Sequence, residues 1–282
     1  MSFVTVSHPV PEVAVVTLNR PERMNSMAFD MMVPLRRTLE EVGYSNEVRA
    51  IVLTGAGAGF CSGADQKSVG KPPGVEGVTR PTYGLRTMEL MDDVVLTLRK
   101  LHQPVIAAVN GAAIGGGLCL ALACDLRICS PNAYFRAAGI NNGLTASELG
   151  LSYLLPRAVG STRAADLMFT GRDMEAAEAR EAGLVSEVAA HHDDDEDTDT
   201  AALARPVVRR AIEIGQTIAG YSQPGIELTK RTLWSGMAAS SLEAHMQTEG
   251  IGQLYVRLLT NNFDEAIAAR KEGRPARFTD TV

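Results

Sequence analysis

Two glycine-rich segments, each following a short apolar run rich in β-branched residues, constrain this sequence more than any other feature. Val48–Thr54 leads into Gly55-Ala56-Gly57-Ala58-Gly59-Phe60-Cys61-Ser62-Gly63-Ala64-Asp65, and Val105–Val109 leads into Asn110-Gly111 and then Gly115-Gly116-Gly117. Glycine lacks a Cβ and tolerates positive φ, so a strand that ends in glycines lets a ligand approach the backbone N–H groups closely. In open α/β sheets such loops gather at the carboxyl ends of the strands, where ligands settle. A helix opening at Gly116 would add unpaired N–H groups and the positive end of its dipole.

The rest of the chain extends the same alternation. Val13–Leu18 reads as a strand that leaves through Asn19-Arg20-Pro21. Ala28, Met32, Leu35, Leu39 and Val42 recur at spacings of three and four, the mark of one helix face, and Gly43 is expected to close that helix. Residues 67 to 85 are rich in Gly and Pro and are expected to be irregular, after which Met88, Met91, Val95 and Leu98 signal a helix to about Leu101. Leu118–Ala123 reads as a buried helix and Asp125–Cys129 as the strand after it. Beyond residue 145 helices are expected at Ser161–Thr170 and Met174–Ala182, with further ones starting near Ala204, Gln223 and Ser241. The order predicts an α/β protein with right-handed crossovers and a largely parallel sheet, followed by a helical second half.

Several function classes are excluded at this stage. Neither loop carries the Gly-Lys-Ser/Thr ending of a phosphate-binding loop, and no acidic residue lies about 20 positions after the glycine triplet, as a dinucleotide site requires. The net charge of −6 comes from the run Asp193, Asp194, Asp195, Glu196, Asp197 and Asp199; without it 27 residues of each sign remain, so the basic stripe needed for nucleic acid is missing. No apolar segment approaches the ~20 residues of a membrane span, and the start MSFVTVSHPVPEV lacks the pattern of a signal peptide, so a cytoplasmic protein is expected. The acidic run is expected to be a solvated loop, with His191 and His192 beside it lacking the fixed geometry of a metal site. The cysteines at 61, 119, 124 and 129 show no two-residue spacing, so buried thiols are expected, with neither disulfide nor metal.

Taken together, the motifs resemble the crotonase (enoyl-CoA hydratase/isomerase) superfamily. The matching residues are Leu18-Asn19-Arg20-Pro21 with Asn25, Gly59–Asp65, Pro104–Gly111 with Ile114–Gly117, Cys124-Asp125, Thr170-Gly171 and Ala182-Gly183-Leu184-Val185. The resemblance implies a spiral of β-β-α units over residues 1–200 holding an acyl-CoA site. It also implies a helical C-terminal region over 201–282 that forms trimers, often paired into hexamers, and closes the pocket. By position, Ala64 and Gly116 match the family's two N–H donors to a thioester oxygen. The stretch Ala64, Asp65, Gln66 and Lys67, with Gly115 and Gly116, matches the part that cradles the substrate. Arg23 and Lys67 are candidates for the phosphates of coenzyme A, or ordinary solvated charges. The implied partner is an acyl-CoA or enoyl-CoA thioester in fatty-acid metabolism, with no cofactor besides the coenzyme A that the substrate carries.

The chain departs from the family at the acids. The two glutamates that hold water in the hydratases correspond to Cys119 and Gly139, and neither is a carboxylate. Cys119 is either a nucleophile or, as its apolar setting favours, a packing residue. The nearest replacement is Glu148, placed like the acid that some isomerases of the superfamily use for proton transfer. Alternatively, Thr145 or Ser147 caps a helix and Glu148 sits in its first turn for dipole reasons. One carboxylate suffices for a double-bond shift, whereas hydration is harder to support without a second. Glu89, Asp92 and Asp93 are further carboxylates near the pocket, or a solvated helix face. The competing expectation is a non-catalytic acyl-CoA carrier that keeps the loops and has lost the acids.

Overall fold

The computed structural model describes residues 2–189, 203 and 205–279. Its larger sheet is formed by β1 (Val4–Val10), β2 (Val13–Leu18), β3 (Ala50–Gly55), β5 (Val105–Val109), β7 (Leu126–Cys129) and β10 (Glu187–Val188), in that spatial order. A smaller sheet joins β4 (Gly59–Cys61), β6 (Ala112–Ile114), β8 (Tyr134–Arg136) and β9 (Asp173–Glu175). Each of β3, β5 and β7 hands the chain directly to its follower in the second sheet, and α1 (Phe29–Gly43), α2 (Arg80–Lys100) and α3 (Gly116–Ala123) complete the turns. This is the expected α/β spiral of β-β-α units.

Strands β2, β3 and β5 are buried throughout and pair in parallel, which accounts for their unbroken apolar runs. Their side chains divide between two cores. Ala14, Val16, Leu18, Ile51, Leu53 and Val109 face the space between the sheets and the first helices. Val13, Val15, Val52, Ile106 and Ala108 face α7 (Pro206–Ala219), which covers the other side with Val207, Val208 and Ala211. Helix α7 therefore completes the core of the sheet, although it lies beyond residue 200.

Three expectations are refined. Residue 43 does not end α1 with a left-handed turn; a side chain there would meet the Leu101 side chain, so the residue marks a close approach. Met174–Ala182 divides into β9 and the short helix α6 (Ala176–Glu181). The two glycine-rich segments are not plain loops, because they carry β4 and β6 of the second sheet. Helices α4 (Leu151–Val159) and α5 (Ser161–Thr170) follow, then α8 (Gln223–Gly236), α9 (Leu242–Leu259) and α10 (Asn262–Glu272).

Helix α8 is stapled to the sheet by buried Lys230, whose Nζ lies 2.8 Å from Asp125 Oδ2, and by Trp234 Nε1, which donates to Asp125 Oδ1 at 2.6 Å. Helix α9 leaves Leu242, Met246, Ile251, Leu254, Tyr255, Leu258 and Leu259 exposed in the single chain. No described helix is long and apolar enough to cross a membrane. The acidic run and the two histidines before it lie outside the described residues.

Candidate active site

The segment after β4 is held by a parallel bridge to Met27. The Met27 N–H donates to Gly63 O at 2.7 Å and the Asp65 N–H donates to Met27 O at 2.9 Å. In this pattern residues 63 and 65 bond towards Met27, so the N–H of Ala64 faces the opposite way. That side is where β6 passes into α3. A Cβ on Gly63 would stand 2.7 Å from Ile114 O and 3.4 Å from Gly116 N, so only glycine lets the two segments meet.

Gly116 is the first residue of α3, where an N–H has no acceptor within the helix. The residue before it, Gly115, has φ 53° and ψ −119°, a conformation closed to residues with a Cβ, and its N–H donates to Arg136 O at 2.8 Å. The Ala64 and Gly116 donors are thus brought to one place by two different strand ends. Together they form a preorganised pair suited to an oxygen that gains negative charge.

Asp65 holds this arrangement together. Its carboxylate is buried, forms an ion pair with Arg20 Nη1 at 3.0 Å, and accepts from Arg23 Nη2 at 2.5 Å, Ser26 Oγ at 3.2 Å, and the N–H groups of Lys67 and Ser68 at 2.8 and 3.0 Å. The hydrogen bond from Arg23, aided by the two backbone donors, holds the carboxyl well below the usual carboxylate range. Asn25 adds a second tie: it accepts from Arg20 N–H and donates to Ala56 O and Gly59 O. Sequence reasoning placed Asp65 and Arg23 with the substrate. The structure commits the Arg23 terminus to Asp65, and leaves Lys67 and Gln66 exposed, with Gln66 Nε2 donating to Asn142 Oδ1 at 3.4 Å.

Glu148 reaches the donors from the other side. Its Oε1 lies 3.1 Å from the point where a Cβ of Gly115 would stand. Leu149 and Gly150 both take positive φ, 47° and 80°, and this double left-handed turn precedes α4. Buried Leu149 packs its Cδ1 against Gly116, and Cys119 Sγ donates to Glu148 O at 3.5 Å. A non-glycine residue held left-handed costs of order 1–3 kcal/mol, and such strain clusters where geometry matters. Glu148 lies before Gly150, the cap of α4, and neither Thr145 nor Ser147 caps that helix, so the helix-dipole explanation does not apply. Half-buried and with no ionic or hydrogen-bond partner for its carboxylate among the described residues, Glu148 has its pKa raised by burial.

Cys119 is fully buried, and burial, with the Glu148 charge next, pushes its thiol well above the ordinary range. It is a packing residue, since the thiolate is the nucleophile. All four cysteines are free and buried. At position 139 a Cβ would overlap Thr145 O, so no carboxylate fits there on this backbone.

A spiral of this kind, with two backbone donors at crossed strand ends and a lone carboxylate beside them, defines a class of thioester-handling proteins. The chain belongs to that class by sequence as well: residues 11–277 match the enoyl-CoA hydratase/isomerase family, and it is a member of that family. It is 66% identical over 280 residues to the "Probable enoyl-CoA hydratase echA12" of Mycobacterium bovis, covering 99% of this chain and 94% of the relative. The crystal structure of a probable enoyl-CoA hydratase/isomerase from Mycobacterium abscessus superposes with a TM-score of 0.91 at 61% identity, covering all of both chains. A monofunctional enoyl-CoA isomerase from M. smegmatis superposes at 0.70 with 56% identity, over 88% of this chain and 99% of that one.

Proposed function

We propose that the protein performs enolate chemistry on an acyl-CoA or enoyl-CoA thioester, with Glu148 as the acid–base group at the α-carbon. The observation that carries this is the half-buried Glu148 carboxyl, which has no partner among the described residues and lies beside Gly115, next to the Gly116 donor. Deprotonation passes the α-hydrogen to Glu148 while the C–H electron pair moves into the thioester, leaving negative charge on its oxygen. The Ala64 and Gly116 N–H groups receive that charge, and each such donor contributes about 3 kcal/mol. Reversal, or return of the proton elsewhere along the chain, gives exchange or a double-bond shift.

The same reading assigns the substrate's nucleotide to the segment Ala64–Lys67, with Lys67 free to meet a phosphate, and its acyl chain to the exposed apolar residues Val69, Leu85, Met88, Ile140 and Leu144. It requires no cofactor besides coenzyme A. The exposed apolar side of α9 supports self-association, which we assign to a trimer or a pair of trimers. Four free thiols suit a reducing, cytoplasmic compartment. We assign the protein to fatty-acid metabolism on the habit of the family alone.

The test is incubation with a saturated acyl-CoA in heavy water, followed by mass spectrometry. The wild type is expected to exchange the α-hydrogen, and Glu148→Gln to lose at least ~100-fold in rate. Tight binding without exchange by the wild type would replace this reading with that of a carrier.

A further inference from the structure

Two lone carboxylates are brought to α3 by different elements. Glu148 arrives from the segment before α4, and Asp92 from α2, which packs against α3. Along α2 the residues Leu85, Met88, Asp92 and Val95 fall at spacings of three and four, on one face. Leu85 and Met88 are exposed by 67% and 51%, Asp92 is half-buried, and Val95 is in the core at 7%. Asp92 therefore sits where the apolar stripe of α2 passes from the open surface into the packing against α3.

Its neighbour shows that this placement is particular. Asp93 is paired with Arg36 of α1 at 2.6 Å, whereas Asp92 has no cation and no hydrogen-bond donor among the described residues. Asp92 acts on the Cys119 thiol less than Glu148 or Cys61 does, and the packing of α2 and α4 on α3 brings both carboxylates towards the helix turn where a family hydratase carries one of its glutamates. The charged groups around Asp92 are Glu89 and Asp93 on its own helix, Arg36 of α1 through Asp93, and Glu148 beyond Cys119. Burial, then Asp93 and Glu89, raise its pKa, which suits a group that must take up a proton during turnover.

We propose that Asp92 is the second acid–base residue of the site, acting on water at the β-carbon while Glu148 serves the α-carbon, so that the enzyme hydrates 2-enoyl-CoA thioesters despite Cys119 and Gly139. This rests on the thioester reading above. In the step, the Asp92 carboxylate takes a proton from water as the water oxygen bonds to the β-carbon. The π electrons of the double bond pass to the thioester oxygen at the Ala64–Gly116 donors. The resulting enolate takes a proton at the α-carbon from the Glu148 carboxyl. One water is added, and the proton gained by Asp92 returns to Glu148 through solvent.

The experiment measures two reactions on wild type, Asp92→Asn, Asp92→Glu and Asp93→Asn: conversion of a short 2-enoyl-CoA to the 3-hydroxyacyl-CoA, and α-hydrogen exchange of a saturated acyl-CoA. Asp92→Asn is expected to lower kcat for hydration about 100-fold with KM little changed, and to remove one limb of its pH profile. Exchange, which needs only Glu148, should fall far less and reports that the variant is folded. Asp92→Glu should recover part of the hydration rate, and Asp93→Asn should stay within about twofold of wild type. Hydration by Asp92→Asn within threefold of wild type, with an unchanged pH profile, would overturn the proposal while leaving the thioester reading intact. So would a wild type that exchanges the α-hydrogen and forms no 3-hydroxyacyl-CoA. Absence of both reactions in the wild type would overturn the two readings together.

Discussion

Asp65 and Glu148 are carboxylates on opposite sides of the same pair of backbone donors, and their surroundings could hardly differ more. Asp65 is buried under two guanidiniums, a hydroxyl and two backbone N–H groups. Glu148 is half-buried with no partner for its charge among the described residues. The first pKa is pushed down by hydrogen bonds and the second is raised by burial. The difference separates building from chemistry: a carboxylate whose lone pairs are all taken can only hold a loop, while one left unsatisfied beside a reactive position can accept a proton.

The largest expected effect sharpens the part Asp65 serves. Replacing Ala64 by L-lactate turns its N–H into an ester oxygen and leaves the side chain as it was. Exchange or hydration should drop about 100- to 1,000-fold with normal circular dichroism. An unchanged rate would show that the Ala64 donor is not used.

Next comes Asp65→Asn, which leaves Arg20 and Arg23 facing a neutral group. Removing one partner of a buried pair costs about 3 kcal/mol, read as a lower midpoint in urea unfolding at neutral pH. Because the folded carboxyl has its pKa depressed, its stabilisation is present above the unfolded value near 4 and is lost as pH falls towards the folded one. The gap between wild type and Asp65→Asn should therefore close in acid; a gap independent of pH would break the account of Asp65 as a charged hub.

Glu148→Gln should move stability the other way by a smaller amount. Its folded pKa is raised, so the ionised carboxylate is the penalised form at neutral pH, and that penalty is absent below the unfolded pKa. The variant is expected to melt at or slightly above the wild-type temperature near pH 7, with no difference near pH 3. A clear loss of stability at neutral pH would mean that Glu148 has structural partners after all. In the active wild type, the same raised pKa places the acid limb of α-exchange above the ordinary carboxylate range.

The smallest effect is expected at Cys119. Cys119→Ala should leave exchange within about twofold and cost about 1 kcal/mol of stability through lost packing. A hundredfold loss with unaltered stability would restore the thiol as a reacting group.

Much of this site was legible beforehand, because Ala64 and Gly116 follow β-rich runs whose periodicity needs no tertiary context. The loss of acids at 119 and 139 was equally plain from residue type. Less legible was the role of Asp65, since its partners Arg20, Arg23 and Ser26 come from a turn 39 to 45 positions earlier and pairing at that separation leaves no local pattern. The same holds for Asp92: a helical wheel separates it from Asp93 by about 100°, but only the tertiary fold supplies Arg36 of α1 to Asp93 and not to Asp92. The second sheet was missed because three-residue strands such as β4, β6 and β8 are too short to show alternation.

The sequence by itself determined the buried strands, the alternation of strand and helix, the two glycine-rich strand ends and the family. Local chemistry governs each of these: β-branched runs pair, and glycines permit backbone to meet backbone. Tertiary structure alone decided which carboxylate became a hub and which were left unpaired. It turned the chain left-handed at Leu149 and Gly150 so that Glu148 reaches Gly115, and it laid α2 against α3 with Asp92 at the boundary. The physical reason is that the state of a charge depends on which donors surround it in space, and those donors arrive from distant parts of the chain.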